Sequence, residues 1–401
     1  MKTRALLLSA AILALFSGPA FAVTCDGTTT TATLCDIKSA VTTTIATSTV
    51  QTGGSDITIE GTGAINVTTS TAPALKIDSD NNVINYGTIS NKNTAGAIGV
   101  ELIAGHGSAT TTVATYNGSG SPSQTGVFGI DLSGTGTGKT GLLLAPLTTL
   151  GAGTIDASAT TPADVTANIA PGINVGSMSV VGDNSYGVHL QSGVTLEGPL
   201  SIDGPISVKS STTGAGSGTG VVGVEVDGNI VGTLNIAPVA IIGGSISVAG
   251  AGSEGVVVFG SIDGSIYNGG AIVAVGSSSS TASTSTTGNP QSGSAFVLEN
   301  SVTHGIYNAG PVDSATAGSV ASAQIVSQGS GPAFLISSAQ SSSASPINIG
   351  IYTADTANPG FSLYNRGQIF TNPPPNGPAN VNVGSVGMRI SGTSGLPVTF
   401  A

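Results

Sequence analysis

Gly255–Gly270 reads GVVVFGSIDGSIYNGG, and one module later Ser294–Gly310 reads SAFVLENSVTHGIYNAG. Each opens on a small residue, alternates apolar with other positions, breaks at a polar turn and closes on Ile-Tyr-Asn-x-Gly. Alternation with a period of two is the mark of a strand with one buried face. Gly and Asn at the breaks accept the left-handed backbone that tight turns need. The closing piece recurs four times, as I-N-Y-G-T-I around Asn85 and Gly87, Y-N-G-G-A-I around Asn268 and Gly270, Y-N-A-G-P-V around Asn308 and Gly310, and Y-N-R-G-Q-I around Asn365 and Gly367. The opening piece recurs as GVHLQSGVTLEG from Gly187 and GVVGVEVDGNIVG from Gly220, with weaker copies near Gly99, Gly126, Pro332 and Gly387.

From Gly187 onward the modules start roughly 33 to 54 residues apart, and the extra length lies in the loops 277–294, 338–346 and 373–378. This pattern predicts an all-β fold: a right-handed parallel β-helix (β-solenoid) with variable loop insertions and one or two coils per module. Strands stacked ~4.8 Å apart put like residues in ladders, so Asn at equivalent corners is expected to bond amide to amide. A β-sandwich competes for the same short strands, but it calls for aromatic core anchors and repeats of about 100 residues. The chain has nine Phe, seven Tyr and no Trp.

Composition agrees. Sixty of 401 residues are Gly, and charged residues make up 7% against about a quarter in an ordinary soluble domain. The 39% apolar content and a mean hydropathy of +0.34 exclude a charge-rich disordered chain. Abundant Gly, Ser, Thr, Val and Asn oppose helix, and the glycines lack the three-residue period of collagen.

The N-terminus carries an address. Met1-Lys2-Thr3-Arg4 is basic, Ala5 to Phe16 is apolar, and Ala20-Phe21-Ala22 follows Pro19. Residues 1–22 therefore read as a secretory signal peptide cleaved before Val23, too short to span a membrane. With Val23 at the first mature position, lipidation is not expected. Cleavage removes Lys2 and Arg4 and no acid, so the formal charge moves from −11 to −13. Such a surface repels nucleic acid. Cys25 and Cys35, the only two cysteines, predict one small disulfide loop in an exported chain. That loop is expected to pin a Thr-rich leader or cap, residues 23–52, to a solenoid spanning 53–401.

The signal peptide, the Thr/Gly/Ser-rich chain and the four Asn-x-Gly pieces together resemble the passenger regions of bacterial autotransporters, the type V secretion class. The resemblance implies export to the periplasm and then to the cell surface through a C-terminal outer-membrane β-barrel, a translocation partner in cis. A barrel shows ~10-residue alternating strands with aromatic girdles, and 23–401 has no such stretch. The sequence closes at Pro397–Ala401 within the module begun at Gly387. The expectation is an N-terminal portion of a longer protein or a truncated product.

Chemical motifs are few. Gly136–Gly141 (GTGKTG) matches a phosphate-loop fragment, but the full pattern needs Gly where Ser133 stands, so a flexible Gly/Thr surface loop is expected. Asp203, Asp227 and Asp263, in S-I-D-G-P, E-V-D-G-N and S-I-D-G-S, are the candidate carboxylates of a solenoid polysaccharide hydrolase or lyase. Each precedes Gly, however, where Asp serves as a turn residue. Gly105-His106-Gly107 lacks the companion motifs of pectin-cutting solenoids. No G-x-S-x-G elbow singles out a nucleophile, and His189, at an alternating position, is expected to face outward. Asp78 and Asp80 make a weak calcium signal without the G-G-x-G-x-D repeat. Two Cys and three scattered His (His106, His189, His304) give no metal set by spacing, and no cofactor is expected.

The expected function is an exported cell-surface structural or adhesive β-solenoid acting through multivalent contacts with host or matrix glycans or proteins. The alternatives are a polysaccharide hydrolase or lyase and a surface-layer-like structural protein.

Overall fold

A computed structural model describes residues 34–50, 54–68, 70–118, 129–158, 172–211, 220–236, 244–275, 293–308, 323–328, 331–338, 345–351, 360–372 and 386–401. Cys25, Gly126, Gly310, the segment 1–22 and most of the three loop insertions lie outside the described residues. Three parallel sheets of ten strands each run the length of the stack. The first extends from Leu34–Ile37 to Leu363–Asn365, the second from Ala40–Val41 to Gln368–Asn372, and the third from Ile45–Ala46 to Met388–Ser391. The chain visits the sheets in turn and repeats, so each module is one coil of a parallel β-solenoid. No described residue is helical, and no described helix is long and apolar enough to cross a membrane.

The decisive stretch shows how one coil is built. Glu254–Val258 lies in the third sheet, Ile262 bridges to Ile230 and Val302, Ile266–Asn268 lies in the first sheet, and Ala271–Val275 in the second. The bridging row at Ile262 continues a fourth, four-stranded sheet that begins at Thr111–Val113.

Alternation sends one set of side chains inward, and the parallel register stacks like on like. In the second sheet Ile65, Ile89, Ile130, Met178, Ile206, Ile246, Ile272 and Ile325 form one buried row along the axis. Burial of each such side chain contributes about 1.5–3 kcal/mol. The first sheet carries the expected amide ladder: Asn268 Nδ2 donates to Asn308 Oδ1 at 2.7 Å, and Asn308 Nδ2 donates to Asn365 Oδ1 at 2.7 Å. Asn268 Oδ1 also accepts from the Gly270 amide at 3.2 Å, which ties the ladder to the corner. Asn85 makes the same corner bond with Gly87 at 3.0 Å. It stands outside the ladder, because its sheet neighbour one coil back is Ile59, and its Nδ2 goes to the Gly129 carbonyl at 3.1 Å instead.

The third sheet explains the glycine content. Gly187, Gly223 and Gly255 occupy one register row and face the isoleucine row of the second sheet. A Cβ at Gly187 would lie 2.7 Å from Ile206 Cγ2, at Gly223 2.3 Å from Ile246 Cγ2, and at Gly255 2.5 Å from Ile272 Cγ2. The coil is too narrow there for a side chain, and the row continues as Ala295 and Ala333, both fully buried. The module begun at Gly220 thus starts in register terms at Gly223, and the modules begun at Ser294 and Pro332 each start one residue later.

A second correction concerns the leader. Leu34–Ile37 pairs in register with Asp56–Ile59, and Ala40–Val41 and Ile45–Ala46 pair with the second coil as well. Residues 34–46 are the first coil of the solenoid, not a separate cap, and Cys35, buried and disulfide-bonded, sits in its inward row.

Candidate functional site

The three turn aspartates do not share a face. Asp203 follows Leu200–Ile202 at the corner between the first and second sheets. Asp227 follows Val222–Val226 of the third sheet, and Asp263 follows the fourth-row bridge residue Ile262. The spacings of 24 and 36 residues therefore carry them to three different corners. Asp203 is buried, its Oδ1 has no hydrogen-bond partner among the described residues, and burial pushes its carboxyl up to about 6. Asp263 accepts from Thr303 Oγ1 at 2.9 Å, and that hydroxyl also meets His304 Nδ1 at 2.9 Å.

What the fold does assemble lies on the outer face of the third sheet, across the fifth and sixth coils. Val188 and Leu190 are fully buried, so His189 between them points outward, as expected. Val224 and Val226 do the same for Glu225, and the parallel register pairs His189 directly with Glu225. Asp227 begins the next turn, its amide bonded to the Leu190 carbonyl at 2.8 Å, and its side chain turns back toward the same point. His189 Nε2 lies 2.9 Å from Asp227 Oδ2 and 3.7 Å from Glu225 Oε1. Tyr186 stacks on the imidazole with ring centroids 4.7 Å apart and planes at 24°.

The electrostatics follow from the crowding of acids on a half-buried surface. Burial is the main force raising the Glu225 carboxyl; the neighbouring Asp227 adds to the rise, His189 opposes it, and Glu254 adds a smaller push. Glu254, on the seventh coil, is itself pushed up to about 7 by burial and by Glu299. Glu299 is buried, and its Oε2 has no hydrogen-bond partner among the described residues. Tyr186 is raised by burial and by the same two acids, Glu225 and Asp227.

The sequence reading of Asp227 as a turn residue and of His189 as an isolated outward side chain misses this meeting. The available signal is an alignment of YGVHLQ at Tyr186 with VGVEVD at Val222, which lays His189 over Glu225.

The other motifs resolve as structural. Lys139 of GTGKTG is buried rather than on a flexible surface loop, and its ammonium donates to the carbonyls of Lys92, Leu132 and Gly134. Burial draws it down to about 8, with Asp131 opposing. Gly105-His106-Gly107 is a tight turn closed by reciprocal backbone bonds between His106 and Ala109, and both glycines have positive φ. Asp78 accepts from the Ser48 amide and Asp80 from the Val113 amide, so each ties two coils together.

No known protein family model, no curated protein sequence and no solved structure matches this chain.

Proposed function

We propose that the chain is an exported, surface-displayed β-solenoid that serves as a structural and adhesive rod. Ten coils at ~4.8 Å give a rod of roughly 45 Å. The observation that carries this reading is the continuity of the stack: all three sheets keep parallel pairing from the first coil to the tenth, while insertions leave at the corners. A rod of this kind presents repeated rows of Ser, Thr and Asn, so weak contacts with glycans or proteins add up by multivalency. Export through the N-terminal segment 1–22 and delivery by an outer-membrane barrel in cis belong to the same reading, and nucleic acid is excluded as a partner by the acidic charge.

The hydrolase alternative is less well supported. The three nominated aspartates stand at different corners, and a carboxylate oxygen of Glu225 lies within 4.8 Å of one of Asp227. Glycosidases separate their two carboxyls by roughly 5–9.5 Å to admit the sugar bond.

The test is adhesion. Beads carrying the full chain at high density are expected to bind glycan- or matrix-coated surfaces, whereas the free chain binds weakly. Release of reducing ends from polysaccharide, or equal binding by free and clustered chain, overturns the proposal.

A further inference from the structure

The Tyr186–Asp227 region offers more than a surface. We propose that His189, Glu225 and Asp227 form a binding site for one divalent transition-metal cation of the zinc class, held across the fifth and sixth coils. This goes beyond the adhesive reading and does not depend on it.

Geometry comes first. One ligand atom from each of the three side chains lies within 4.8 Å of the other two. Around a tetrahedral zinc with bonds of about 2.0–2.2 Å, neighbouring donors stand roughly 3.4 Å apart. His189 Nε2 is already 2.9 and 3.7 Å from the two carboxylates, so small side-chain rotations close the set. The backbone needs no movement, since His189 and Glu225 are ladder partners and the Asp227 amide is bonded to Leu190 of the fifth coil. Tyr186 limits the tilt of the imidazole from one side.

Charge points the same way. Among the described residues no Lys or Arg forms an ion pair with Glu225 or Asp227; their one basic partner is His189. Glu254 adds a further acid nearby. Donor chemistry then selects the ion. An imidazole with two carboxylates suits zinc and its neighbours in the transition series, while calcium asks for six to eight oxygens. Coordination through Nε2 leaves the ring proton on Nδ1. Side-chain exposures of 14%, 14% and 27% leave a fourth position open to water or to a ligand atom of a partner.

Bound metal would join residues 36 and 38 positions apart in sequence, which the unfolded chain does not hold together, so binding stabilises the fold. The experiment titrates the full, chelator-stripped chain with Zn²⁺ by calorimetry, follows melting, and records the visible spectrum with Co²⁺. One ion per chain, a raised melting temperature and a low-coordinate Co²⁺ spectrum without thiolate charge-transfer bands are expected. Loss of an outer-shell partner alone costs about 10–100-fold in metal affinity, so His189→Ala and Asp227→Asn should each weaken binding at least about tenfold. His106→Ala, at a separate turn, should leave affinity unchanged. Two substitutions at the site guard against one failing to fold, with metal-free circular dichroism as the check. Absence of saturable binding, several ions per chain insensitive to both substitutions, or wild-type affinity in a folded His189→Ala overturns the proposal.

Discussion

Asn268 on the eighth coil donates its side-chain amide to Asn308 on the ninth across 40 residues of sequence, at 2.7 Å. Asn308 is fully buried and passes the same bond on to Asn365. A primary amide can donate and accept at once, so it can extend a ladder that an ionised carboxylate, an acceptor only, would end. Asn308→Ala breaks both links and leaves the buried Asn268 amide short of its acceptor. The expected cost is about 2 kcal/mol, read by denaturant unfolding, with faster hydrogen exchange at 266–268 and 363–365. Asn85→Ala, outside the ladder, should accelerate exchange only around its own corner.

The glycine row gives a steric prediction. At Gly223 an added Cβ meets Ile246 Cγ2 at 2.3 Å and the Gly255 carbonyl oxygen at 2.4 Å. Gly223→Ala should cost about 2–3 kcal/mol or more as overpacking. Because half of the clash is with backbone, adding Ile246→Ala should recover only part of the loss. Ala295→Gly, in the same row, should cost about 1 kcal/mol or less. Thermal melts of the four proteins decide the order.

Both ladders bear on how far the sequence could be read. Asn in an apolar strand followed by Gly is a conspicuous combination, and it marks the corners at Asn268, Asn308 and Asn365 directly. The glycine row is hidden, since Gly is everywhere and only register separates Gly223 from Gly220. Register depends on loop lengths that vary from coil to coil, and that is why the meeting of His189 and Glu225 is not legible in the sequence. Their neighbours Val188, Leu190, Val224 and Val226 announce outward side chains on each strand, but not which strands stand side by side. The first coil is hidden for a related reason: residues 34–46 have no Asn-x-Gly corner to mark them, yet Cys35, Ile37 and Ile45 are buried in the interior.

Lys139 should behave as a structural cation. Its ammonium satisfies three carbonyls around the fourth coil, and the side chain is fully buried. Lys139→Met keeps the volume and removes the donors, so it should destabilise by about 2–4 kcal/mol. If calorimetry shows the Met variant as stable as wild type, the carbonyls do not depend on Lys139.

Asp203 predicts a pH dependence of unusual sign. Its carboxyl is raised by burial from 3.8 to about 6 in the folded chain, which therefore holds more protons than the unfolded chain between those values. The stabilising contribution is present below the unfolded value and is lost as pH rises through about 6. Asp203→Asn should raise stability at pH 7 by about 1–2 kcal/mol after allowance for solvent screening, with little change at pH 3.5. Unfolding of both proteins across pH 3.5–7 measures this, and equal slopes would contradict it.

The claim on which all else rests is that successive modules stack as single coils in one register. Asn66 and Val273 lie on one outward row of the second sheet, six coils apart through Ser90, Asp131, Ser179, Ser207 and Ser247. Spin labels at Asn66→Cys and Val273→Cys should lie about 29 Å apart, and at Asn66→Cys and Ser207→Cys about 19 Å, following ~4.8 Å per coil. Narrow distance distributions by pulsed electron resonance with that increment would support the stack. Broad distributions, or a separation that does not grow with coil number, would contradict it.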